Sequence, residues 1–338
     1  MNPLRAALCL ILALGPVRGW AGEGCPGQSW EAAPAQTPGW SAAKLESADR
    51  FARTLQTDAY LVLEHGHLVH SYGNCDRPIN IHSMRKSILS LLMGIHADRG
   101  QVDLDKTLAD LGIDDKARLT ATEKQATVRQ LLQARSGVYL PSAYETREMA
   151  DARPARGSFP PGVHWYYNNW DFNALGSIFK VCTGQDVFQA LRDDLAQPLH
   201  FQDFDLARDT RFWFEPSSVH PAYIMHLSAR DLARVGLLMA RGGSWNGQQI
   251  VSRAWVAEST RAYAGTGQPG RGYGYLWWVG PDSGSFSAHG HRGQILLVNP
   301  GRDLVIVHLV DTDDSSRRRV KGAQLSALIE LILAARAG

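Results

Sequence analysis

Residues 83–100 read SMRKSILSLLMGIHADRG, and they follow YLVLEHGHLVHSY at residues 60–72. The earlier stretch has two apolar, β-type runs on either side of a glycine-containing turn, a pattern that predicts a β-hairpin. In the later stretch, apolar residues recur at helical spacing, which predicts an amphipathic helix that begins at about Ser83 and ends at Gly100. A hairpin therefore leads into a long helix whose first residue is a serine.

The rest of the chain changes character twice. Helix and loop signals fill the middle of the chain, with helices predicted after Asn169, Ser228 and Ser252. Strand signals then return before a terminal helix: the predicted strands are residues 273–279, 294–299 and 304–310, and the predicted helix is residues 323–335. With the hairpin, these strands predict an α+β fold, in which helices flank an antiparallel sheet of about five strands and a second lobe is mainly helical.

The first 21 residues have the pattern of a secretory signal peptide. Arg5 precedes a short apolar run, and helix-breaking and small residues follow that run up to Ala21. We therefore expect cleavage near Ala21 and a periplasmic or secreted protein. Neither this run nor any later one is long enough to span a bilayer as a helix.

The composition divides the remaining chain and limits its partners. Residues 22–40 are rich in Gly, Pro and Ala without periodicity, which predicts a linker. Residues 41–338 are predicted to be the folded domain, with a sheet lobe from about 41–81 and 220–338 and a helical lobe from about 82–219. The formal net charge is only +2 and the positive residues are scattered, so we expect no nucleic-acid partner.

The chain has four cysteines, and Cys9 would leave with the signal peptide. Cys25, Cys75 and Cys182 would remain, an odd number in an oxidising compartment, so at most one disulfide can form. A bridge from Cys25 to Cys75 is one option. The sequence does not determine the pairing.

Ser83 and Lys86 form an S-x-x-K motif at the start of the predicted helix. Residues three apart share one face of a helix, so the lysine amine can reach the serine hydroxyl. A helix N-terminus also offers unpaired N–H groups and the positive end of the dipole, which favour developing negative charge. Burial would lower the pKa of the amine from its ordinary value of about 10.4 and let the amine accept a proton.

The same spacing occurs at Ser41 with Lys44 and at Ser177 with Lys180. Ser41 precedes every predicted strand. Ser177 lies within a predicted helix, where a hydroxyl usually bonds to its own backbone. Only Ser83 opens a long helix after a hairpin, and the alternative for Ser83 is a simple helix cap.

Two further stretches contain groups suited to a hydrolytic site. Residues 161–169 read PGVHWYYNN, where a phenol can relay a proton and a carboxamide can bond to a substrate carbonyl. Residues 289–294 read HGHRGQ and are predicted to open a strand in which glycine permits close approach of a ligand.

These three elements, in this order, resemble the serine β-lactamase and penicillin-binding protein superfamily, above all its esterase and DD-peptidase branch. The resemblance covers most of the chain after the signal peptide and implies a β-lactamase/transpeptidase-like fold. It implies that Ser83 is the acylated nucleophile, with Lys86 as its activating amine. The family's tyrosine-x-asparagine triplet is matched to Tyr167-Asn168-Asn169, with Tyr166-Tyr167-Asn168 as a competing register.

The family's third element, Lys-Thr-Gly or His-Thr-Gly, is matched to His291-Arg292-Gly293. By the same resemblance, the backbone N–H groups of Ser83 and Gln294 would form the oxyanion hole. Histidine in place of lysine is largely neutral near pH 7, so the cation that would hold a peptide or penicillin carboxylate is weakened.

The prediction is therefore a serine hydrolase that cleaves a small ester or amide through a Ser83 acyl-enzyme, with Lys86 and Tyr167 transferring the proton. Two alternatives stay open. One is a D-alanyl-D-alanine carboxypeptidase or β-lactamase, and the other is a non-catalytic sensor that binds penicillin. The order of proton transfer between the amine and the phenol also stays open.

Other enzyme classes fit the sequence less well. His65, His67 and His70 approach a two-metal pattern but lack its aspartate, and there is no H-E-x-x-H motif. No G-x-S-x-G elbow of an α/β-hydrolase is present. We therefore expect no metal and no cofactor, and the sequence leaves the oligomeric state undetermined.

Overall fold

The computed structural model of the protein describes residues 25, 26, 30, 39–314, 316 and 319–336. The predicted signal peptide and most of the predicted linker lie outside the described residues. Among the helices that are described, none combines the length and the apolar character needed to cross a bilayer.

The described residues form ten α-helices and thirteen strands. The helices are α1 (Ala42–Thr54), α2 (Met84–Asp98), α3 (Val128–Leu132), α4 (Arg147–Ala152), α5 (Asn169–Thr183), α6 (Val187–Ala190), α7 (Leu206–Asp209), α8 (Ala229–Ala240), α9 (Arg253–Ser259) and α10 (Gly322–Ala334). The strands are β1 (Ala59–Glu64), β2 (His67–Gly73), β3 (Ile79–Asn80), β4 (Thr210–Trp213), β5 (Ala222–Leu227), β6 (Ser244–Trp245), β7 (Gln248–Gln249), β8 (Ala264–Gly265), β9 (Gly272–Tyr273), β10 (Trp278–Gly280), β11 (Ser285–His289), β12 (Ile295–Asn299) and β13 (Leu304–Leu309).

The main sheet is antiparallel, and in the described residues it has eight strands in the order β2-β1-β13-β12-β11-β10-β9-β8. The expectation of about five strands is wrong. The run predicted as one strand over residues 273–279 is interrupted where Leu276 adopts a φ of 64°, which separates β9 from β10. Two more strands, the short β8 and the weakly apolar β11, gave no clear strand signal.

Helices cover both faces of this sheet. On one face, α1 and α10 pack with Tyr60 and Val62 of β1, and on the other face α8 packs against β12 and β13. Gly236 of α8 lies so close to the sheet that an added Cβ would come within 2.4 Å of Val305. Because β1 is buried on both faces, its sequence is a continuous apolar run rather than an alternating one.

Helix α2 crosses the interior of the protein. It contacts β11, α5 and the π-helical turn at Leu191–Ala196, and every residue from Met84 to His96 is buried. The prediction of an amphipathic helix over this segment is therefore wrong in one respect, since α2 has no solvent-facing side until its last turn. Its N-terminal polar residues are enclosed together with its apolar ones. The division into a sheet lobe and a helical lobe stays a prediction.

Candidate active site

Ser83 is the N-cap residue of α2, one tight turn after β3. The preceding residue, His82, has a φ of 46°, and its backbone N–H donates to the side chain of Asn80 at 3.0 Å. A positive φ is unfavourable for a residue with a Cβ, so the surrounding contacts must hold this turn in place. The turn aims the half-buried Ser83 side chain into a cavity instead of across its own helix end, to which it gives no capping bond.

The Lys86 amine lies at the centre of a compact polar group. Its Nζ is 3.1 Å from Ser83 Oγ, 2.8 Å from Tyr167 Oη and 2.7 Å from Asn169 Oδ1. The side chain is only 1% exposed. Burial lowers the pKa of Lys86 well below its ordinary value, and the positive charge of Arg85 lowers that pKa further. A neutral amine at neutral pH can accept a proton from either hydroxyl.

Tyr167 lies in the loop that leads into α5, and Asn169 is the first residue of that helix. Burial raises the pKa of Tyr167 to about 12, although a hydrogen bond to Ser83 and the charge of Arg85 act in the opposite direction. The phenol is therefore protonated at neutral pH and can pass on a proton. Asn169 Nδ2 donates to the backbone oxygen of Tyr144 at 2.7 Å, which fixes the amide so that its oxygen faces Lys86.

The competing register of the tyrosine motif is not supported by the geometry. The Tyr166 hydroxyl donates to the backbone oxygen of Met149 at 2.6 Å. Asn168 is buried and donates to the backbone oxygen of Val138 at 2.6 Å. Only the register that starts at Tyr167 brings both of its side chains to Lys86.

Ser83, Tyr167 and Asn169 open onto a cavity of about 490 Å³. Its walls combine aromatic, histidine and carboxylate side chains with one glycine. The other lining residues are His82, Tyr144, Glu145, Thr146, Met149, Trp213, Glu215, Trp278, His289, Gly290 and His291. Of the site residues predicted from sequence, Lys86, Gly293 and Gln294 are not among the lining residues, and Lys86 is bonded to three residues that are: Ser83, Tyr167 and Asn169.

Residues 291–293 are not extended, so the prediction of strand conformation there is wrong, whereas the strand predicted over residues 294–299 is found as β12 (Ile295–Asn299). Strand β11 ends at His289, and residues 291–293 form a single 3₁₀ turn in which Arg292 has a φ of 59°. The Gln294 side chain points into the interior and donates to backbone oxygens of Asn80 and Val310 at 2.8 Å each. The segment that lines the cavity is thus Gly290 with His291.

Two backbone N–H groups are available at this edge of the cavity. In the described part of the chain, the N–H groups of Ser83 and His291, both residues of the cavity wall, have no hydrogen-bond partner, and the N–H of Gln294, which is outside the lining residues, has none either. Gly290 is required between the walls, because an added Cβ would come within 2.8 Å of the backbone oxygen of Ile81 and closer still to the Gln294 side chain.

The three histidines of the cavity are held in their neutral form. Burial lowers the pKa of His82 to about 3, and burial likewise lowers the pKa of His289 to about 3. The pKa of His291 is also lowered, first by partial burial and then by the charges of Arg292 and Arg319. None of these imidazoles supplies a fixed positive charge at pH 7.

Arg85, inside the S-x-x-K motif, is a residue that the sequence reasoning missed. It is 1% exposed, and its guanidinium lies 5.3 Å from the ring of Tyr144 and 5.1 Å from that of Tyr223. Its Nη1 donates to the backbone oxygen of His82 at 3.0 Å, while Nε and Nη2 have no hydrogen-bond partner among the described residues. A charged residue on an otherwise apolar helix was the available signal.

The other S-x-x-K pairs lie elsewhere. Lys44 is exposed and donates to the backbone oxygen of Ala334 at 2.9 Å. Ser177 Oγ is 2.9 Å from Nδ1 of His220, and Lys180 is exposed. In the described structure, neither lysine amine is bonded to the hydroxyl of the serine in its own motif.

The histidine pattern in the hairpin does not gather ligands. His67 is exposed, and His70 contacts Asp49 at 2.8 Å. Within the described residues, no group of three or more His, Cys, Asp or Glu side chains is arranged to hold a metal ion. Cys25, Cys75 and Cys182 are all free thiols in the structure.

A family model described as beta-lactamase matches residues 43–331. The chain belongs to the beta-lactamase family. The match includes Ser83, Lys86, Tyr167 and Asn169, and the family resemblance seen in the sequence is confirmed. The fold is accordingly the α+β, β-lactamase/transpeptidase-like fold, with the wider sheet described above.

Similar proteins in this family include hydrolases and penicillin-binding homologues. A curated relative, the 6-aminohexanoate-dimer hydrolase of Paenarthrobacter ureafaciens, is 27% identical and covers 86% of this chain and 81% of its own length. A solved family VIII carboxylesterase is 17% identical with a TM-score of 0.67, covering 90% and 99% of the two chains. A penicillin-binding protein homologue from Caulobacter crescentus is 18% identical with a TM-score of 0.64, covering 92% and 98%.

Proposed function

We propose that this beta-lactamase-like protein is a serine hydrolase that cleaves a small ester or amide through an acyl-enzyme on Ser83. The observation that carries the proposal is the buried Lys86 amine, 3.1 Å from Ser83 Oγ and 2.8 Å from Tyr167 Oη. An unpaired lysine in the interior is unfavourable as a cation, and a neutral amine beside a hydroxyl is a proton acceptor.

In the proposed reaction, Ser83 Oγ attacks the substrate carbonyl carbon while its proton moves to the Lys86–Tyr167 pair. The carbonyl π electrons move to oxygen, and the N–H groups of Ser83 and His291 stabilise that oxyanion. We assign the second donor to His291 because it lines the cavity, and the N–H of Gln294, which the family resemblance implies, stays as the alternative donor. Lys86 and Tyr167 lie within hydrogen-bond distance of each other, so their macroscopic pKa values belong to the pair rather than to one single-residue base.

The tetrahedral intermediate collapses when the bond to the leaving group breaks and that group takes the proton from the Tyr167 hydroxyl. Water then adds to the acyl carbon and gives a proton to the Lys86–Tyr167 pair, and the bond to Ser83 Oγ breaks as that oxygen takes the proton back, which releases the acid. Asn169 both fixes Lys86 and presents an amide at the cavity wall, where it can contact a substrate carbonyl or N–H.

The preference for a substrate without a carboxylate rests on the cavity walls. No lysine or arginine is among the described residues that line the cavity, and burial keeps its histidines neutral. A penicillin or D-alanyl peptide carboxylate would therefore meet no fixed cation there. The hydrolases among the similar proteins are compatible with either an ester or an amide bond, and we keep both.

Steady-state hydrolysis of p-nitrophenyl butyrate tests the proposal. The wild-type protein should turn over many equivalents, and Ser83→Ala should reduce kcat/KM at least about 10³-fold. Ser41→Ala, in the S-x-x-K pair on α1, is the matched control and should retain the wild-type rate. A single stoichiometric burst without turnover would favour the sensor alternative, and equal rates for wild type and Ser83→Ala would refute the proposal.

Export through the predicted signal peptide is part of the same proposal. N-terminal sequencing of protein recovered from the periplasm or medium should begin near residue 22. Recovery only in the cytoplasm with an intact N-terminus would contradict it.

A further inference from the structure

Glu215 is a carboxylate in the wall of the Ser83 cavity that the proposed reaction does not use. Its Oε1 accepts hydrogen bonds from the backbone N–H of Tyr144 at 2.9 Å and from Nε1 of Trp213 at 3.0 Å. No ion pair or hydrogen bond to Oε2 is found among the described residues. The side chain is half-buried, so one oxygen is fixed by the protein while the other is free to bind a ligand.

Glu215 is also the one uncompensated charge among the described cavity-lining residues. The second lining carboxylate, Glu145, forms an ion pair with Arg153. Arg85 does not line the cavity, since its guanidinium lies against the rings of Tyr144 and Tyr223. A ligand in the cavity therefore meets a single exposed negative charge and no exposed positive one.

The surroundings of this carboxylate are aromatic. Trp213 is 43% exposed, and its ring centroid is 6.2 Å from that of Tyr144 at an angle of 61°. An exposed indole face beside a carboxylate attracts a cation through both its quadrupole and the neighbouring charge. The hydrogen bond from Trp213 Nε1 to Oε1 also holds the carboxylate at the edge of the indole ring. One ligand can therefore contact both groups.

We propose that Glu215 and Trp213 form a subsite for an ammonium group of the substrate, so that the preferred substrates are esters or amides carrying a cation. This inference rests on the proposed function, because it names the substrate class of the same cavity. The cation can lie on the acyl part or on the leaving group. In either case it is bound while the scissile carbonyl reaches Ser83.

Isosteric ester pairs test this subsite on both sides of the scissile bond. For the leaving group, acetylcholine is compared with 3,3-dimethylbutyl acetate. For the acyl part, 4-nitrophenyl 4-(trimethylammonio)butanoate is compared with 4-nitrophenyl 5,5-dimethylhexanoate. Each pair exchanges a quaternary nitrogen for a quaternary carbon and keeps the shape. In at least one pair, the wild-type kcat/KM should favour the cationic ester by about tenfold or more.

Glu215→Gln removes the charge and keeps an oxygen to accept from Tyr144 and Trp213. It should lower the ratio of kcat/KM for cationic over neutral ester several-fold, because the charge is lost and only the Trp213 ring remains. The ratio is internal to each variant, so a general loss of activity cancels. Glu148→Gln is the matched control, because Glu148 is an exposed acid on α4 outside the cavity wall, and it should leave the ratio as in wild type.

The outcomes separate this inference from the proposed function. A wild-type ratio near one for both pairs, or a ratio that Glu215→Gln does not change, overturns the ammonium subsite alone if the neutral esters are still turned over through Ser83. Loss of Ser83-dependent turnover for every ester would instead overturn the proposed function.

Discussion

Two helices of this protein begin with the same S-x-x-K spacing, and only one of them holds a site. At α1, Ser41 is the N-cap and Lys44 is exposed, with its amine on the backbone of α10 at Ala334. At α2, Ser83 is the N-cap and Lys86 is buried within 3.1 Å of it. The spacing places a serine and a lysine on one face of a helix in both places. Only at α2 is the lysine buried, as the proposed proton transfer requires.

The difference comes from what surrounds each helix. Helix α1 packs on the outer side of the sheet, where one face stays in water. Helix α2 is enclosed, and its Lys86 is bonded to Tyr167, just before α5, and to Asn169, at the start of α5. A lysine amine in water keeps its proton, whereas an enclosed amine with two oxygen partners can exist in the neutral form.

Substitution of the two lysines gives the largest contrast. Lys86→Met should lower kcat/KM for p-nitrophenyl butyrate about 10³-fold or more, because the proton acceptor for Ser83 is removed. Lys44→Met should leave kcat/KM within about twofold of wild type, because an exposed side chain distant from the nucleophile is changed. If both variants had equal rates, burial would not be what separates the two motifs.

The adjacent tyrosines give the next contrast. Tyr167→Phe should lower kcat/KM about 10²-fold, because it removes the phenol that returns the proton to the leaving group. Tyr166→Phe loses only a bond to the backbone of Met149 and is the matched control. Stopped-flow or steady-state ester hydrolysis measures kcat/KM of both variants. A larger loss of kcat/KM in Tyr166→Phe would show that Tyr166-Tyr167-Asn168 is the correct register of the motif.

Arg85 sharpens the comparison further, since α1 has no buried cation beside its lysine. The charge of Arg85 lowers the pKa of Lys86 after burial has done so, and removing it should raise that pKa. The acid limb of kcat/KM against pH reports deprotonation of the base, so in Arg85→Met it should move to higher pH. Arg85→Lys keeps the charge and should keep the limb.

A loss of rate in Arg85→Met at every pH, with no movement of the limb, would give Arg85 only a structural role. That structural role would be to hold the turn before Ser83, because Arg85 Nη1 donates to the backbone oxygen of His82. The pH profile separates the two effects.

The smallest effect concerns stability and shows the same influence of burial away from the nucleophile. His308 is 1% exposed, with Thr57 and the backbone oxygen of Gly293 as partners, and burial lowers its pKa to about 4. In the unfolded chain His308 is protonated below about pH 6.5, whereas in the folded protein it stays neutral down to about pH 4. This residue should therefore lower the free energy of unfolding by about 1.4 kcal/mol for each pH unit below about 6.5.

Urea unfolding of wild type and His308→Gln at pH 7 and pH 5 measures the contribution of His308. The wild type should lose more stability between the two pH values than the variant does. His82 and His289 have lowered pKa values as well, so part of the slope should persist in His308→Gln. An identical slope in the two proteins would contradict the assignment to His308.

The sequence predicts the parts of the fold that have local signals. The hairpin of β1 and β2, the start of α2 and the start of α5 before its Gly184 cap all follow from residue patterns. The sheet width does not, because β8 and β9 have two residues each and no local pattern identifies a strand that short. Helix α1 lies where the sequence analysis assigned no element, and its pairing with α10 is a contact between distant segments.

The candidate site divides in the same way. Ser83, Lys86 and Tyr167 can be found from spacing and order along the chain. Gly290 lines the cavity and Gly293 does not, because the chain makes a left-handed turn at Arg292. The sequence HGHRGQ does not reveal this turn. The enclosure of Arg85 by Tyr144 and Tyr223 and the bond between Tyr144 and Glu215 join segments more than fifty residues apart, so no local pattern predicts them.

Labelling with a fluorophosphonate, followed by peptide mapping, tests the central claim most directly, because all three S-x-x-K serines compete for one reagent. At pH 7 we predict a single adduct on the peptide containing Ser83, strongly slowed in Lys86→Met, with the peptides of Ser41 and Ser177 unmodified. An adduct on Ser41 or Ser177, or labelling of Ser83 at an unchanged rate in Lys86→Met, would contradict the account.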